Sequence, residues 1–102
     1  MHIKIMPRMG DIFSALANPV RLKIITLLSR NERCVCEIAV AIKRERSVTS
    51  RYLASLAQVG LLKSRRKGKM VLYRLKDKRV LKLLSIGQDM IKNPVKRQRE
   101  ER

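Results

Sequence analysis

Residues 43–76 read KRERSVTSRYLASLAQVGLLKSRRKGKMVLYRLK, and this stretch decides the fold. Lys43-Arg44-Glu45-Arg46 is polar and forms a turn. A helix is predicted from about Ser47 to Val59, closed by Gly60 in the left-handed region that ends many helices. At 100° per residue Thr49, Tyr52, Leu53 and Leu56 share one side, while Ser47, Val48, Arg51, Ser55 and Gln58 lie opposite. An outer face of Ser, Arg and Gln has the hydrogen-bonding chemistry that reads base edges in a DNA major groove. Leu61–Arg66 and Met70–Lys76 then read as two strands. Lys67-Gly68-Lys69 joins them, with Gly68 supplying the positive φ of a tight hairpin turn. A hairpin with a Lys/Arg tip directly after such a helix is a wing.

Outward from this core the pattern is helical. Upstream, Asp11 is positioned to cap a short helix carrying Ile12, Phe13, Leu16 and Ala17. Asn18-Pro19 ends it and starts a second helix running to about Ser29, with Asn as N-cap and Pro in the first turn. Arg30–Arg33 is a polar break, and Glu37–Ile42 is a short apolar helix. Downstream, Lys78–Ile91 carries Val80, Leu84, Gly87 and Ile91 on one stripe, widened by Leu81 and Leu83, before Asn93-Pro94. The expected fold is mainly α with a β-hairpin (α+β), a winged helix-turn-helix with a flanking helix at each end. Residues 1–9 are an N-terminal arm, 10–91 the DNA-binding and dimerisation domain, and 92–102 a basic tail expected to be disordered. So small a domain cannot cover the apolar first and last helices alone, and they are expected to pair with those of a second subunit.

Charge narrows the partners. The 102 residues carry 25 Lys plus Arg against 8 Asp plus Glu, a net +17. No acid falls between Arg46 and Lys76, whereas nine basic residues do. Heat-adapted surfaces interleave Glu with Lys; a basic block without Glu points to a polyanion. A membrane surface fits less well than nucleic acid, because the block is not one amphipathic helix. The start, MHIKIMPRMG, lacks the apolar run of a signal peptide, and no segment approaches a bilayer-spanning length, so a cytoplasmic location is expected. Catalysis is not expected. The lone His2 leaves no Ser-His or Cys-His pair in the body, and the four glycines are too dispersed for a phosphate loop.

Several segments together resemble the ArsR family of winged-helix repressors over residues 10–91. They are Leu16-Ala17-Asn18-Pro19-Val20-Arg21-Leu22-Lys23-Ile24, Cys34-Val35-Cys36-Glu37-Ile38-Ala39, Ser50-Arg51-Tyr52-Leu53-Ala54-Ser55-Leu56, Gly60-Leu61-Leu62 and Val71-Leu72-Tyr73-Arg74-Leu75. The resemblance implies a homodimer on a palindromic double-stranded DNA operator, repressing a promoter until an inducer releases it. Arg46, Ser47, Ser50 and Arg51 would then face the major groove, and Arg65, Arg66, Lys67 and Lys69 would meet phosphates or the minor groove. The chain departs from the family pattern at Lys43 and Arg44, where a Gly and an apolar residue are usual, at Glu45 in place of a Ser cap, and at Tyr52 in place of a common His. A different class of function, an architectural or RNA-binding protein using the same basic surface without an operator, is separated by the ratio of specific to random-duplex affinity. The paucity of aromatics argues against stacking on single strands.

Cys34 and Cys36 are too close in sequence for a bridge that usefully staples the fold, and a reducing cytosol would keep them as free thiols. Cys34-Val35-Cys36-Glu37 resembles the box through which the arsenic- and cadmium-sensing branches bind soft metals. Thiolates select such ions, so As(III), Sb(III) or a soft divalent metal is the expected effector, with no cofactor required. Within a helix, residues two apart diverge by about 200°. The two sulfurs therefore converge only if the box starts the helix or is partly extended. The third ligand is missing: the position three after Cys36 is Ala39, the N-terminal arm has no thiol, and only His2 is at hand there. A thiol redox switch and a small, half-buried structural pair are the other readings of these cysteines.

Overall fold

The computed structural model describes residues 7–95. The first six residues of the N-terminal arm, His2 included, and the tail beyond Val95, expected to be disordered, lie outside them. Five helices and three strands follow in the order α1 (Met9–Leu16), α2 (Pro19–Leu27), β1 (Arg33–Cys34), α3 (Val35–Ile42), α4 (Arg46–Gln58), β2 (Leu62–Lys67), β3 (Met70–Leu75) and α5 (Arg79–Lys92). The expected helix-turn-helix and hairpin are present, with one strand more than the sequence announced.

Helix ends follow local chemistry. Asn18 Oδ1 accepts from the backbone N–H groups of Val20 and Arg21 at 2.9 and 3.1 Å, and Pro19 opens α2. α1 begins earlier than expected. Arg8 is its N-cap, and Asp11 sits in the first turn, its carboxylate accepting from the Arg8 N–H at 2.9 Å; a carboxylate three residues in can satisfy the same orphan donors as a cap residue. At α5 the Asp77 carboxylate accepts from the Arg79 N–H at 3.0 Å and from its guanidinium. Those Arg79 hydrogen bonds, side chain first, hold the Asp77 carboxyl down at about 2.

The core is aliphatic. Ile24 and Ile25 from α2, Ile38 from α3, Leu53 and Leu56 from α4 and Leu62 from β2 are wholly or almost wholly buried, with Leu28, Ile42, Leu61, Leu75 and Val80 around them. Thr49, the one buried polar residue among those described, satisfies its hydroxyl by donating to the Glu45 carbonyl at 2.9 Å. Gly60 ends α4 with φ +85°, as the sequence predicts.

β2 and β3 pair antiparallel from Leu62↔Leu75 to Lys67↔Met70, and Gly68, at φ +60°, leads the turn between them. β1 joins the other side of β3 through Arg33↔Tyr73 and Cys34↔Leu72, giving the sheet order β1-β3-β2. Arg30–Arg33 reads as a polar break in the sequence, because a two-residue strand carries no period. α3 likewise starts at Val35 rather than Glu37.

Leu56 is fully buried in this small cluster, so Leu56→Ala should lower unfolding free energy by about 2–5 kcal/mol, the usual cost of a cavity in a core. A denaturant titration followed by helical circular dichroism measures it.

Candidate nucleic-acid interface

α4 rests its buried stripe of Thr49, Leu53 and Leu56 on the core and so turns Arg46, Ser47, Ser50 and Arg51 outward, all exposed. Their spacing of three and four residues makes them neighbours on one helical face. Tyr52 stays half-buried, its ring 5.7 Å from the Arg21 guanidinium carbon, so it braces α2 against α4. Beyond α4 the hairpin exposes Arg65, Arg66, Lys67 and Lys69.

These cations do not form one uniform patch. Arg46, Ser50 and Lys69 line a single open cavity of about 230 Å³ between the start of α4 and the turn of the hairpin. Arg65 points elsewhere. It forms an ion pair with Glu32, from the connection between α2 and β1, through Nε at 3.0 Å and through Nη2 to Oε1. This pairing lowers the Glu32 carboxyl below its ordinary range, chiefly through the hydrogen bond from Arg65, and raises Arg65. Around the pair lies a second cavity of about 490 Å³ with Arg30, Arg74 and Lys78 on its walls. The stretch from Arg46 to Lys76 contains no acid, yet the fold brings one in from 33 residues away. No local pattern signals such a partner.

The cysteines correct an expectation. Cys34 and Cys36 are joined as a disulfide, with an S–S separation of 2.00 Å, and the described residues contain no free thiol. The reason is local. Cys34 is the last residue of β1 and the extended N-cap of α3 (φ −76°, ψ 158°), and Cys36 lies in the first turn. With one of the two off the helix, their Cα atoms are 5.2 Å apart, within bridging range. Cys34 Sγ also accepts from the Glu37 N–H at 3.2 Å, while the Glu37 carboxylate accepts from the Cys34 N–H at 3.0 Å. The Glu37 carboxylate is thereby engaged in capping. Among the described residues no three His, Cys, Asp or Glu side chains cluster as a metal site would require. Both cysteines line the same cavity as Arg46, Ser50 and Lys69.

Comparison with known proteins places this arrangement. Residues 18–64 match the model of the bacterial regulatory protein, arsR family. A cadmium resistance transcriptional regulatory protein, CadC, from Listeria innocua is 37% identical over 82 residues, spanning 79% of this chain and 69% of that protein. The chain belongs to the ArsR family. Another similar member is a transcriptional repressor SmtB homologue of Synechocystis sp., 43% identical over 76 residues. The match takes in 74% of this chain but only 58% of that relative's length. The fold of this ArsR-family chain is also similar to a homodimeric winged helix-turn-helix DNA-binding domain from Mycobacterium bovis solved by NMR, with a TM-score of 0.75 and 30% identity over 91% of this chain and 86% of that one. No helix among the described residues is long and apolar enough to cross a membrane.

Glu32→Gln should free one guanidinium in this ArsR-family chain and shift elution from immobilised heparin to higher salt. Elution at unchanged salt would mean that Arg65 already offers its full charge to a polyanion.

Proposed function

We propose that the protein is a homodimeric transcriptional repressor that binds a double-stranded DNA operator and lets go when Cys34 and Cys36 react with a thiophilic effector. The carrying observation is the shared cavity: the cysteine pair forms one wall, and Arg46, Ser50 and Lys69 form others. Chemistry at the sulfurs therefore needs no long path to the DNA-facing residues.

Dimerisation is supported by an apolar surface at the two ends of the chain. Phe13, Leu83, Ile86, Met90 and Ile91 are exposed, and Phe13, Leu83, Leu84 and Ile91 line an apolar cavity of about 440 Å³ between α1, α2 and α5. A two-fold pair built on this surface offers two α4 helices to successive turns of the major groove, about 34–36 Å apart. In this reading Arg46, Ser47, Ser50 and Arg51 face the major groove from α4. Arg66, Lys67 and Lys69 on the wing contact phosphate or the minor groove, with Arg65 joining them when Glu32 releases it. Phosphate contacts supply most of the affinity, which accordingly falls steeply with salt.

At the sensor, the reduced pair offers two soft donors. These fit two positions of As(III), Sb(III), Cd(II) or a similar ion; a third donor has to come from outside the described residues, since Ala39 cannot ligate and Glu37 is held in the α3 cap. The thiolates of Cys34 and Cys36 would hold such an ion at the first turn of α3, and the ion would supply a Lewis-acid centre joining the two sulfurs. Cys34 is both a residue of the wing sheet and the cap of α3, so a change in the bonding of its Sγ acts on hairpin and helix-turn-helix together.

The disulfide favours a second reading of the same site, a redox signal. Two thiols give up two electrons and two protons to form the S–S bond, and a peroxide is reduced to water; a dithiol reverses the step. Use of the basic surface without an operator is the outcome to be expected if affinity for the region upstream of its own gene equals that for random duplex.

Arg51→Ala should weaken operator binding by about 10- to 100-fold and relax base preference at the positions it reads; measured by anisotropy, an unchanged preference would remove α4 from base recognition. The effector is tested by titrating the reduced protein–DNA complex with As(III), Cd(II), Zn(II) and hydrogen peroxide beside the Cys34→Ser/Cys36→Ser variant. Release is expected with the wild type and not with the variant, and the active reagent separates coordination from oxidation. Release that survives the double substitution eliminates the cysteines as sensor.

A further inference from the structure

Lys43 stands at the one position among the described residues, glycines aside, where φ is positive, at φ 57° and ψ 49°. It terminates α3 in a Schellman arrangement. The Lys43 N–H donates to the Val40 carbonyl at 3.2 Å, and the Arg44 N–H donates to the Ala39 carbonyl at 3.1 Å. That closure asks for glycine, because a Cβ in the left-handed region crowds its own backbone. A lysine here is destabilising, and its side chain does nothing for the turn that a hydrogen atom would not do better. Backbone outliers of this kind persist where they serve a site.

The neighbours identify the service. Arg44 is occupied locally, its Nη1 donating to the carbonyls of Ile42 and Lys43 at 3.2 and 3.3 Å. Thr49 takes the Glu45 carbonyl. Lys43 has no ion pair among the described residues, is exposed, and lines a shallow concavity at the point where the chain enters α4, in which Lys43, Arg44 and Arg46 outnumber the single acid, Glu45. The N-terminal end of α4, with its unpaired N–H groups, adds positive potential on the same side. An exposed ammonium held beside the start of a helix that lies in the major groove is within reach of the backbone flanking that groove.

We infer that Lys43 is a phosphate-contacting residue, a further DNA-binding position set on the turn rather than on the recognition helix or the wing. It rests on the reading of the protein as DNA-binding, and its contact is with the sugar–phosphate backbone, not with bases. Lys43 should therefore strengthen binding equally on all sequences.

The test uses the full chain and a labelled random-sequence duplex, with affinities measured from 50 to 200 mM salt and thermal midpoints measured in parallel. Lys43→Gly should raise the midpoint while weakening binding. Its log–log salt slope should fall by about 0.9 per bound chain, so that the loss of affinity across this salt range shrinks by about 3.5-fold for each chain. Lys43→Arg should keep the wild-type slope and show no gain in midpoint. A Lys43→Gly protein with the wild-type slope would overturn the inference while leaving the DNA-binding reading intact. A wild type that shows no salt-dependent binding to any duplex would overturn both.

Discussion

Burial of a small aliphatic cluster constrains everything else in this molecule. Ile24, Ile25, Ile38, Leu53 and Leu56 come from three helices and are sealed from water together, and with no Trp and three aromatic residues there is little other apolar area to gather. Each helix can contribute only one stripe, so the stripe decides which side chains remain outside. On α4 the buried stripe of Thr49, Leu53 and Leu56 leaves Ser47, Ser50 and Arg51 to solvent. Core and interface are thus two consequences of one rotation of α4 about its axis.

The charge works against that core. A chain of 102 residues at +17 repels itself, and self-repulsion favours expansion. The fold relieves little of it with ion pairs. Among the described residues, Glu32–Arg65 and Asp77–Arg79 are the salt bridges, and both are exposed enough that water and salt screen them. Repulsion is instead relieved when a polyanion arrives. Binding nucleic acid should therefore stabilise the fold by linkage as well as occupy its surface.

What was legible in the sequence follows from the range of each signal. Asn18-Pro19, Gly60 and Gly68 act through their own backbone angles and nearest neighbours, and each marks the boundary that the structure has. The amphipathic period of α4 is equally local. Two of the features that escaped are set by partners distant along the chain. β1 is too short to show a period and exists because β3 offers an edge. The Arg65–Glu32 pair joins residues on different elements. The Cys34–Cys36 bridge depended on which side of a helix boundary Cys34 fell. Once it lies in the extended cap, the divergence expected within a helix no longer applies. The domain type needed none of these distant partners, because the order of helical stripes followed by a basic hairpin already spells a winged helix-turn-helix.

The sheet order β1-β3-β2 leaves β2 with one side unpaired. A bare strand edge is a template on which any other extended chain can add itself, and proteins commonly guard against this with charge. β2 carries Lys63, Arg65, Arg66 and Lys67 within its six residues. The cations proposed to draw the wing to phosphate therefore also guard this unpaired edge against the addition of another strand. Evolution or design that softens the wing's charge to weaken a polyanion contact would, by the same change, remove the guard, and solubility would limit how far binding could be tuned down.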